Sequence, residues 1–310
     1  MKTIVIGLGV QGHKRKKYAH DDFFASVDPE NKNADFRDVS CVPLDSYDAA
    51  VVCVPDKVKT TIIEYLIKNR KHVLVEKPLW AECDTKLTEL EKLANQNDVV
   101  CYTGYNHRFE PHFIRMRKLI KSGELGKVYH ARLFYGNGTA RLVRNSDWRD
   151  KGSGVLHDLG SHLLDTVKFW FEKHVSEFKV VSSKSHENAA PDHVVIYSDT
   201  SDFQIECEVT LLSWRNHFSC DVFAEKGSAH ISSLCKWGPS EFIRRERVFP
   251  SGRPVENRIT TVQDDPTWRS EYQHFSELCK IKKLTNLSHD IWLNRTLREL
   301  GDDAVLKANG

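Results

Sequence analysis

The chain has 310 residues, a length that suits two domains of ordinary size or one large one. Its 45 lysines and arginines nearly balance its 43 aspartates and glutamates, and the net charge of +2 argues against a nucleic-acid or membrane-surface partner. Hydrophobic residues make up 40% of the chain, but no apolar run approaches the roughly 18 residues of a membrane span, so we expect no membrane partner.

The eight cysteines are well separated along the chain. The closest pair, Cys41 and Cys53, is twelve residues apart, and no C-x-x-C occurs. This spacing argues against a zinc knuckle or a thioredoxin-type redox pair. We therefore expect a reducing, cytoplasmic compartment and no metal.

Short β-branched runs alternate with helical spacing through the first hundred residues. The predicted strands are 2–6, 23–27, 49–54, 72–75 and 99–102, and the predicted helices are 11–20, 58–69 and 81–96. This alternation is typical of βαβ units around a parallel sheet. Between them, residues 30–48 are polar and irregular, and the run 39–44 suggests a short strand.

The pattern changes after residue 104. Helices are predicted over 109–122, 155–171, 268–280 and 288–300, and strands over 178–182, 194–197, 203–212, 218–224 and 229–233. Successive strands without helices between them indicate an antiparallel sheet. We predict an α/β chain with a dinucleotide-binding domain over 1–104 and a substrate-binding, oligomerising domain over 105–310.

A G-x-G-x-x-G motif follows the first predicted strand. Gly7 allows a tight turn, Gly9 lets the backbone approach a pyrophosphate, and Gly12 lets the helix pack on the strand. The helix that starts around Val10 and Gln11 offers free N–H groups to phosphates. A glycine-rich turn without a ligand is the alternative, but the strand-turn-helix context favours dinucleotide binding.

Asp28 ends the second predicted strand, 28 − 12 = 16 residues after the last glycine. A carboxylate there accepts hydrogen bonds from the ribose hydroxyls of NAD and repels the 2′-phosphate of NADP. A plain turn aspartate before Pro29 is the alternative. Because Lys32 and Arg37 are able to offset the repulsion, NAD is expected and NADP is not excluded.

Two further segments carry candidate chemistry. Lys77 follows a predicted parallel strand, where it is able to stabilise alkoxide charge on a substrate, although a surface lysine is the alternative. Asp158, His162 and Asp165 are spaced i, i+4 and i+7, on one face of the helix predicted over 155–171. A histidine beside a carboxylate is able to exchange a proton near neutral pH. A metal site or a structural polar cluster would explain the same spacing.

Together these segments resemble the Gfo/Idh/MocA family, the glucose–fructose oxidoreductase and inositol dehydrogenase group. The matching motifs are the glycine loop, Glu76-Lys77-Pro78, Gly104-Tyr105 with Arg108-Phe109, Gly126-Lys127-Val128, and Asp158-x-x-x-His162. The resemblance implies a Rossmann domain with a parallel sheet, followed by an α+β domain built on a large, open, mainly antiparallel sheet. That second sheet would join copies of the chain into a homodimer or homotetramer.

The resemblance also implies roles for particular residues. Lys77 would be the catalytic lysine, Asp158 its carboxylate partner and His162 the acid/base residue. The expected cofactor contacts are Val54, Pro55, Glu76, Lys77 and Tyr105, and the expected substrate contacts are Lys77, Tyr105, Arg108, Trp148, Asp158 and His162. The implied function is NAD(P)-dependent hydride transfer at a carbinol carbon of a sugar, polyol or sugar derivative, including nucleotide sugars.

The chain departs from the family pattern at two places. The segment 28–48 is short and lacks a full helix, which affects the adenine pocket, and Lys59 stands where many relatives have a histidine. Two alternative functions on this architecture are a non-catalytic NAD-binding sensor and a biliverdin-reductase-like reductase. Arg141, Arg144 and Arg149 are either ligands for an anionic substrate group or surface charges.

Overall fold

The computed structural model describes residues 1–172, 177–199 and 203–309. The chain forms two compact units. The first unit comprises Met1–Asn106 with Pro266–Arg295, and the second comprises His107–Asp265 with Thr296–Gly310. The sequence-based division at residue 104 therefore differs from the observed one, because the segment Pro266–Arg295 groups with the N-terminal part of the chain.

A five-stranded parallel sheet, in the order β2-β1-β3-β4-β5, forms the centre of the first unit. Its strands are β1 Thr3–Ile6, β2 Phe23–Val27, β3 Ala49–Val52, β4 His72–Glu76 and β5 Cys101–Gly104, and its helices are α1 Val10–Ala19, α2 Asp56–Lys68 and α3 Asp84–Gln96. Residues of the inner strands, such as Val51 and Leu74, are fully buried because the sheet is covered on both faces. The predicted parallel α/β arrangement is confirmed.

The connection between β2 and β3 is the shortened segment. Within residues 28–48, all of which are described, the structure has two 3₁₀ turns, Val39–Cys41 and Leu44–Ser46, and no α-helix. The absence of a full helix agrees with the sequence, but the strand suggested over 39–44 is wrong. Asp38 caps the first turn by accepting a hydrogen bond from the Ser40 N–H at 2.8 Å, which favours a turn over an extended run.

An eight-stranded sheet, in the order β13-β12-β11-β10-β6-β9-β8-β7, forms the second unit. Its strands are β6 Val128–Gly136, β7 Lys179–Lys184, β8 His193–Asp199, β9 Gln204–Thr210, β10 His217–Ala224, β11 Gly227–Ser232, β12 Ser240–Val248 and β13 Gly252–Thr261. Neighbouring strands run antiparallel, except for the parallel pair β6 and β9. The predicted large, mainly antiparallel sheet is confirmed.

Three strands of this sheet were not predicted, namely β6, β12 and β13. The sequence of β6 does carry a period-two signal, because Ala131, Leu133 and Tyr135 are buried at alternate positions. The hairpin of β12 and β13 carries little such signal. Its outer strand is exposed at nine of ten positions and its sequence is polar, so it resembles a loop.

The remaining helices are α4 Pro111–Lys121, α5 Ala140–Val143, α6 Ser161–Phe171, α7 Thr267–Lys280 and α8 Ser288–Asn309. Helix α6 is preceded by a π-helical turn over Leu156–Gly160. Across the described parts of the chain, no helix is long and apolar enough to cross a membrane. All eight cysteines are free thiols.

Candidate functional site

The glycine loop lies between β1 and α1, and two of its glycines are required by packing. Gly7 has a φ of +89°, and a Cβ there would lie 2.5 Å from the carbonyl oxygen of Cys53. A Cβ at Gly12 would lie 1.8 Å from the carbonyl oxygen of Gly7. A Cβ at Gly9 would meet no atom within 4 Å. The fold itself does not require glycine at position 9, whereas a pyrophosphate that approaches the backbone there would.

The start of α1 provides the electrostatics that a diphosphate needs. Gly9 precedes the helix, Val10 is 76% exposed, and the first turn carries no acidic side chain. The free N–H groups at a helix N-terminus and the partial positive charge of the helix dipole both favour a phosphate. The loop and helix therefore fit the diphosphate of a dinucleotide.

Asp28 is bound to the glycine loop. Its Oδ2 accepts a hydrogen bond from the Leu8 N–H at 2.7 Å, and its Oδ1 accepts from the N–H groups of Glu30 and Asn31 at 2.9 and 2.8 Å. Burial acts to raise the pKa of Asp28, but these backbone N–H groups outweigh it and lower the pKa. A carboxylate has about four lone-pair positions, and these three hydrogen bonds use three of them. The Asp28 carboxylate is therefore still able to accept a hydrogen bond from a ribose hydroxyl.

Glu76 and Lys77 stand at the C-terminal end of β4, as predicted. The Glu76 carboxylate accepts a hydrogen bond from Arg15 Nε at 2.5 Å, and Arg15 also pairs with Glu271 at 2.6 Å. Arg15 and Glu271 are almost fully buried. Burial acts to lower the pKa of Arg15, but the two carboxylates outweigh it and raise the pKa, so the guanidinium stays charged. One carboxylate oxygen of Glu76 is thus committed within the first unit.

Lys59 is a second buried cation next to this segment. It is 3% exposed, and its Nζ donates hydrogen bonds to Asp56 Oδ1, the Pro78 carbonyl and the Glu76 carbonyl. The sequence identified Lys59 only as a departure from the family pattern and assigned no role to Arg15. Only the Lys59–Asp56 pair, three residues apart on α2, is local; the other partners of Lys59 and both partners of Arg15 lie on other elements of the fold.

The other predicted cofactor-side residues lie at the ends of strands in the same unit. Val54 and Pro55 connect β3 to α2. Tyr105 follows β5, is 2% exposed, and donates its hydroxyl to Asp290 Oδ1 at 2.8 Å. The ring of His289 meets Tyr105 edge-on at 5.1 Å between centroids. The Tyr105 side chain is therefore anchored to the start of α8.

In the second unit, His162 lies in the first turn of α6 and stacks on another histidine. The rings of His162 and His107 are 4.0 Å apart between centroids, with 19° between their planes, and Tyr135 meets His162 edge-on at 5.8 Å. Burial is the main cause that raises the pKa of Tyr135, so its hydroxyl stays protonated at neutral pH. His107, to which the sequence assigned no role, is 1% exposed.

Asp158 lies in the π-helical turn, with Arg149 as an ion-pair partner. Arg149 Nε lies 3.3 Å from Asp158 Oδ2. Three arginines, Arg141, Arg144 and Arg149, are the candidate ligands for an anionic substrate group. Within the described part of the chain, only Arg149 forms an ion pair with a predicted catalytic residue. Arg144 donates to the Glu187 carbonyl and Arg141 to the Glu187 carboxylate, both at the surface. This fits the surface-charge alternative for those two.

The expectation that 155–171 is one regular α-helix is wrong, because Leu156–Gly160 is a π-helical turn. Such a turn shifts the residues before it around the helix axis.

Asp165, beyond the turn, is 1% exposed and accepts hydrogen bonds from Arg108 Nε at 2.9 Å and Nη2 at 2.5 Å. Arg108, expected at the substrate, therefore carries a buried carboxylate partner. Trp148 is 53% exposed, and the Arg149 guanidinium lies 4.6 Å from its ring centroid.

One group of potential metal ligands occurs among the described residues. A ligand atom each of Glu110, Cys235 and Asp265 lies within 4.8 Å of the others. The Cys235 N–H donates to Glu110 Oε2 at 3.3 Å, and burial is the main cause that raises the pKa of both Glu110 and the Cys235 thiol. Burial therefore favours the uncharged form of both groups, and the expectation of no metal remains a prediction.

Two family models match the chain, one in each unit. The model described as "Oxidoreductase family, NAD-binding Rossmann fold" matches residues 2–105, and the model "GFO/IDH/MocA C-terminal domain" matches residues 113–230. Both carry the name of the family that the sequence resembles, which confirms that resemblance.

Individual relatives agree with this assignment. An uncharacterized oxidoreductase of Schizosaccharomyces pombe is 31% identical over 65% of this chain and 55% of its own length. An inositol 2-dehydrogenase of Corynebacterium glutamicum is 24% identical over 72% of this chain and 67% of its own length. Matches to the first four curated relatives span only 31% to 55% of their lengths.

A solved structure shares the fold over nearly all of the chain. A levoglucosan dehydrogenase in complex with NADH superposes with a TM-score of 0.81, over 99% of this chain and 98% of the other, at 16% identity. At that identity the likeness is evidence for the fold alone. The chain therefore belongs to the Gfo/Idh/MocA family of oxidoreductases, and its residues 2–105 form the family's NAD-binding Rossmann fold.

Proposed function

We propose that this protein is an NAD-dependent dehydrogenase that removes a hydride from a carbinol carbon of a sugar, polyol or sugar derivative. The observation that carries the proposal is that Lys77, Asp158 and His162 occur together in a chain with an NAD-binding Rossmann fold. These side chains supply a cation for a developing alkoxide and a base for its proton. The inositol 2-dehydrogenase relative supports a polyhydroxylated substrate.

The proposed mechanism assigns one task to each residue. Bound NAD⁺ supplies the hydride acceptor. A ring nitrogen of His162 takes the hydroxyl proton of the substrate, and the stack on His107 fixes the plane of the imidazole. The Lys77 ammonium donates a hydrogen bond to the same oxygen as negative charge develops on it. Asp158, with Arg149 beside it, orients a substrate hydroxyl.

A panel of sugars tests the proposal. The purified protein is mixed with NAD⁺ and, in turn, with myo-inositol, D-glucose, D-glucose 6-phosphate and UDP-N-acetylglucosamine, and NADH formation is followed by absorbance. We expect sustained NADH formation with at least one compound. Binding of NAD⁺ without even a single turnover of NADH for any compound would count against the dehydrogenase proposal and favour a non-catalytic NAD-binding sensor.

The position of Asp28 predicts which of the two nicotinamide cofactors binds more tightly. Because its carboxylate is ionised and lies beside the glycine loop, it repels a 2′-phosphate, and NADH is expected to bind more tightly than NADPH. Asp28→Ser removes that charge and should narrow the difference, as measured by calorimetry with both cofactors. Asp38→Ser, which changes a turn aspartate in the same connection, is the matched control and should preserve the difference. NADPH binding to the wild type as tightly as NADH would show that Asp28 does not set the preference.

Self-association through the eight-stranded sheet remains part of the proposal. The outer strand β13 exposes Val255 and Ile259, and the turn before it exposes Phe249. Exposed apolar side chains on a sheet are the kind of surface that a second copy covers. A homodimer or homotetramer is therefore the expected state.

A further inference from the structure

Lys59 is an unusual residue for the interior of the first unit. It lies in the first turn of α2 and is only 3% exposed. Lysine is almost never buried to this extent unless its charge is paired and hydrogen-bonded, because removing an ammonium from water is costly. The position of Lys59 therefore needs an explanation in terms of what its ammonium holds.

The ammonium is saturated by three oxygens. Lys59 Nζ lies 2.5 Å from Asp56 Oδ1, 2.9 Å from the Pro78 carbonyl oxygen and 3.2 Å from the Glu76 carbonyl oxygen. A lysine has three N–H donors, and here each has an acceptor. Two of the acceptors are the main-chain carbonyls of Glu76 and Pro78, the residues directly before and directly after Lys77.

A second cation holds the same segment through a side chain. Arg15, on α1, donates to the Glu76 carboxylate at 2.5 Å and is itself paired with Glu271. The residues around Lys77 are thus bound by α1 through Glu76 and by α2 through the backbone. Charge-assisted hydrogen bonds of this kind are shorter and stronger than neutral ones, so they restrict the segment more than ordinary turn contacts do.

We propose that Lys59 is a positioning residue, which fixes the main chain on both sides of Lys77 so that the Lys77 ammonium is held at the reacting oxygen of the substrate. The inference rests on the proposed function, in which Lys77 acts on that oxygen. We call the hydrogen bonds from Lys59 to the Glu76 and Pro78 carbonyls the clamp. Its loss is expected to lower the rate of hydride transfer, since a displacement of about 1 Å in a reacting group lowers the rate by about 10²-fold. If Lys59 were purely structural, its loss would lower the stability of the protein but would not alter the rate constant of the molecules that remain folded.

Two measurements on Lys59→Met test the inference. The first is the single-turnover rate constant for hydride transfer with NAD⁺ and the sugar that the panel identifies, because this constant does not depend on the fraction of active enzyme. We expect a decrease of about 10²-fold, with NAD⁺ affinity unchanged. The second needs no substrate and is hydrogen exchange by mass spectrometry, which should show faster exchange in peptides covering residues 76–80 and no change around β1.

Lys68→Met is the matched control. It removes a lysine from the same helix, but Lys68 is exposed and pairs only with the side chain of Glu64 among its recorded contacts. Its rate constant and exchange pattern should equal those of the wild type. If Lys59→Met does not fold, Lys59→Leu replaces it under the same criteria, because it likewise removes all three donors.

The outcomes separate this inference from the proposed function. A wild-type rate constant in Lys59→Met, together with a severe loss in Lys77→Met, overturns the positioning role alone. A wild-type rate in both variants overturns the role of Lys77 itself. Unchanged exchange at 76–80 in Lys59→Met contradicts the clamp whatever the turnover, since the segment would then be held by other contacts.

Discussion

Lys77→Met should abolish measurable turnover and leave NAD⁺ affinity almost unchanged. Lys77 follows β4 directly, at the end of a parallel sheet where ligand-facing side chains collect. In the proposed mechanism its ammonium stabilises charge that exists only as the hydride leaves, so its loss raises the barrier without weakening the ground state. Removing one such preorganised donor costs about 10²–10³-fold in kcat, and removal of a full positive charge should cost at least as much.

Cofactor affinity is the measurement that separates this role from simple binding. The pyrophosphate is assigned to Gly7, Gly9 and Gly12 and the start of α1, none of which the substitution changes. Titration of NADH fluorescence should therefore give similar affinities for Lys77→Met and the wild type, with Lys68→Met as the control for loss of a positive charge. Turnover near the wild-type rate in Lys77→Met would remove Lys77 from the mechanism.

The first unit was predictable from sequence because its signals are local. Strands such as β1 and β3 are continuous apolar runs, since both faces of a parallel sheet are buried. Gly7 and Gly12 were predicted from the motif, and the structure gives the reason, because a Cβ at either position would collide with main-chain atoms. The cofactor loop is therefore a feature that the order of residue types determines almost alone.

The contacts that support the candidate catalytic residues were not predictable in the same way. Arg15 lies in a helix rich in lysine, which suggests a solvated surface, yet it is buried against Glu76, 61 residues further along the chain. Lys59 likewise reaches the Glu76 and Pro78 carbonyls, and His107 reaches His162, only when separate elements pack together. The sequence names the candidate catalytic residues, whereas the contacts that hold them depend largely on tertiary structure.

Charge-rich and irregular elements explain the remaining errors. The strand β13 alternates little, because it is an exposed edge and no buried face selects its residues. The π-helical turn at Leu156–Gly160 has the same composition as an α-helix, and only the packed structure shows the extra residue in the turn. The missed strand affects only the edge of the eight-stranded sheet, and the missed π-helical turn affects only the surroundings of Asp158 and His162. Neither error affects the assignment of the fold.

His162→Ala should lower kcat for alcohol oxidation by about 10²–10⁴-fold, the usual contribution of a general base, or roughly 3–5 kcal/mol of barrier. Only the neutral imidazole is able to accept the hydroxyl proton. The wild-type oxidation rate should therefore rise with pH through the titration of His162, and the variant should lose that rise. His217→Ala, which removes an exposed histidine from the same unit, should leave both the rate and the pH profile intact.

The structure also defines what a negative result would mean. His162 stacks on His107 and lies beside Tyr135, so its loss removes packing as well as a base. A packing defect alone would lower thermal stability and the amount of active enzyme, but the pH profile of the surviving molecules would keep its shape. If His162→Ala keeps the wild-type kcat and pH dependence, another group moves the proton. His162 would then belong with His107 to a structural pair.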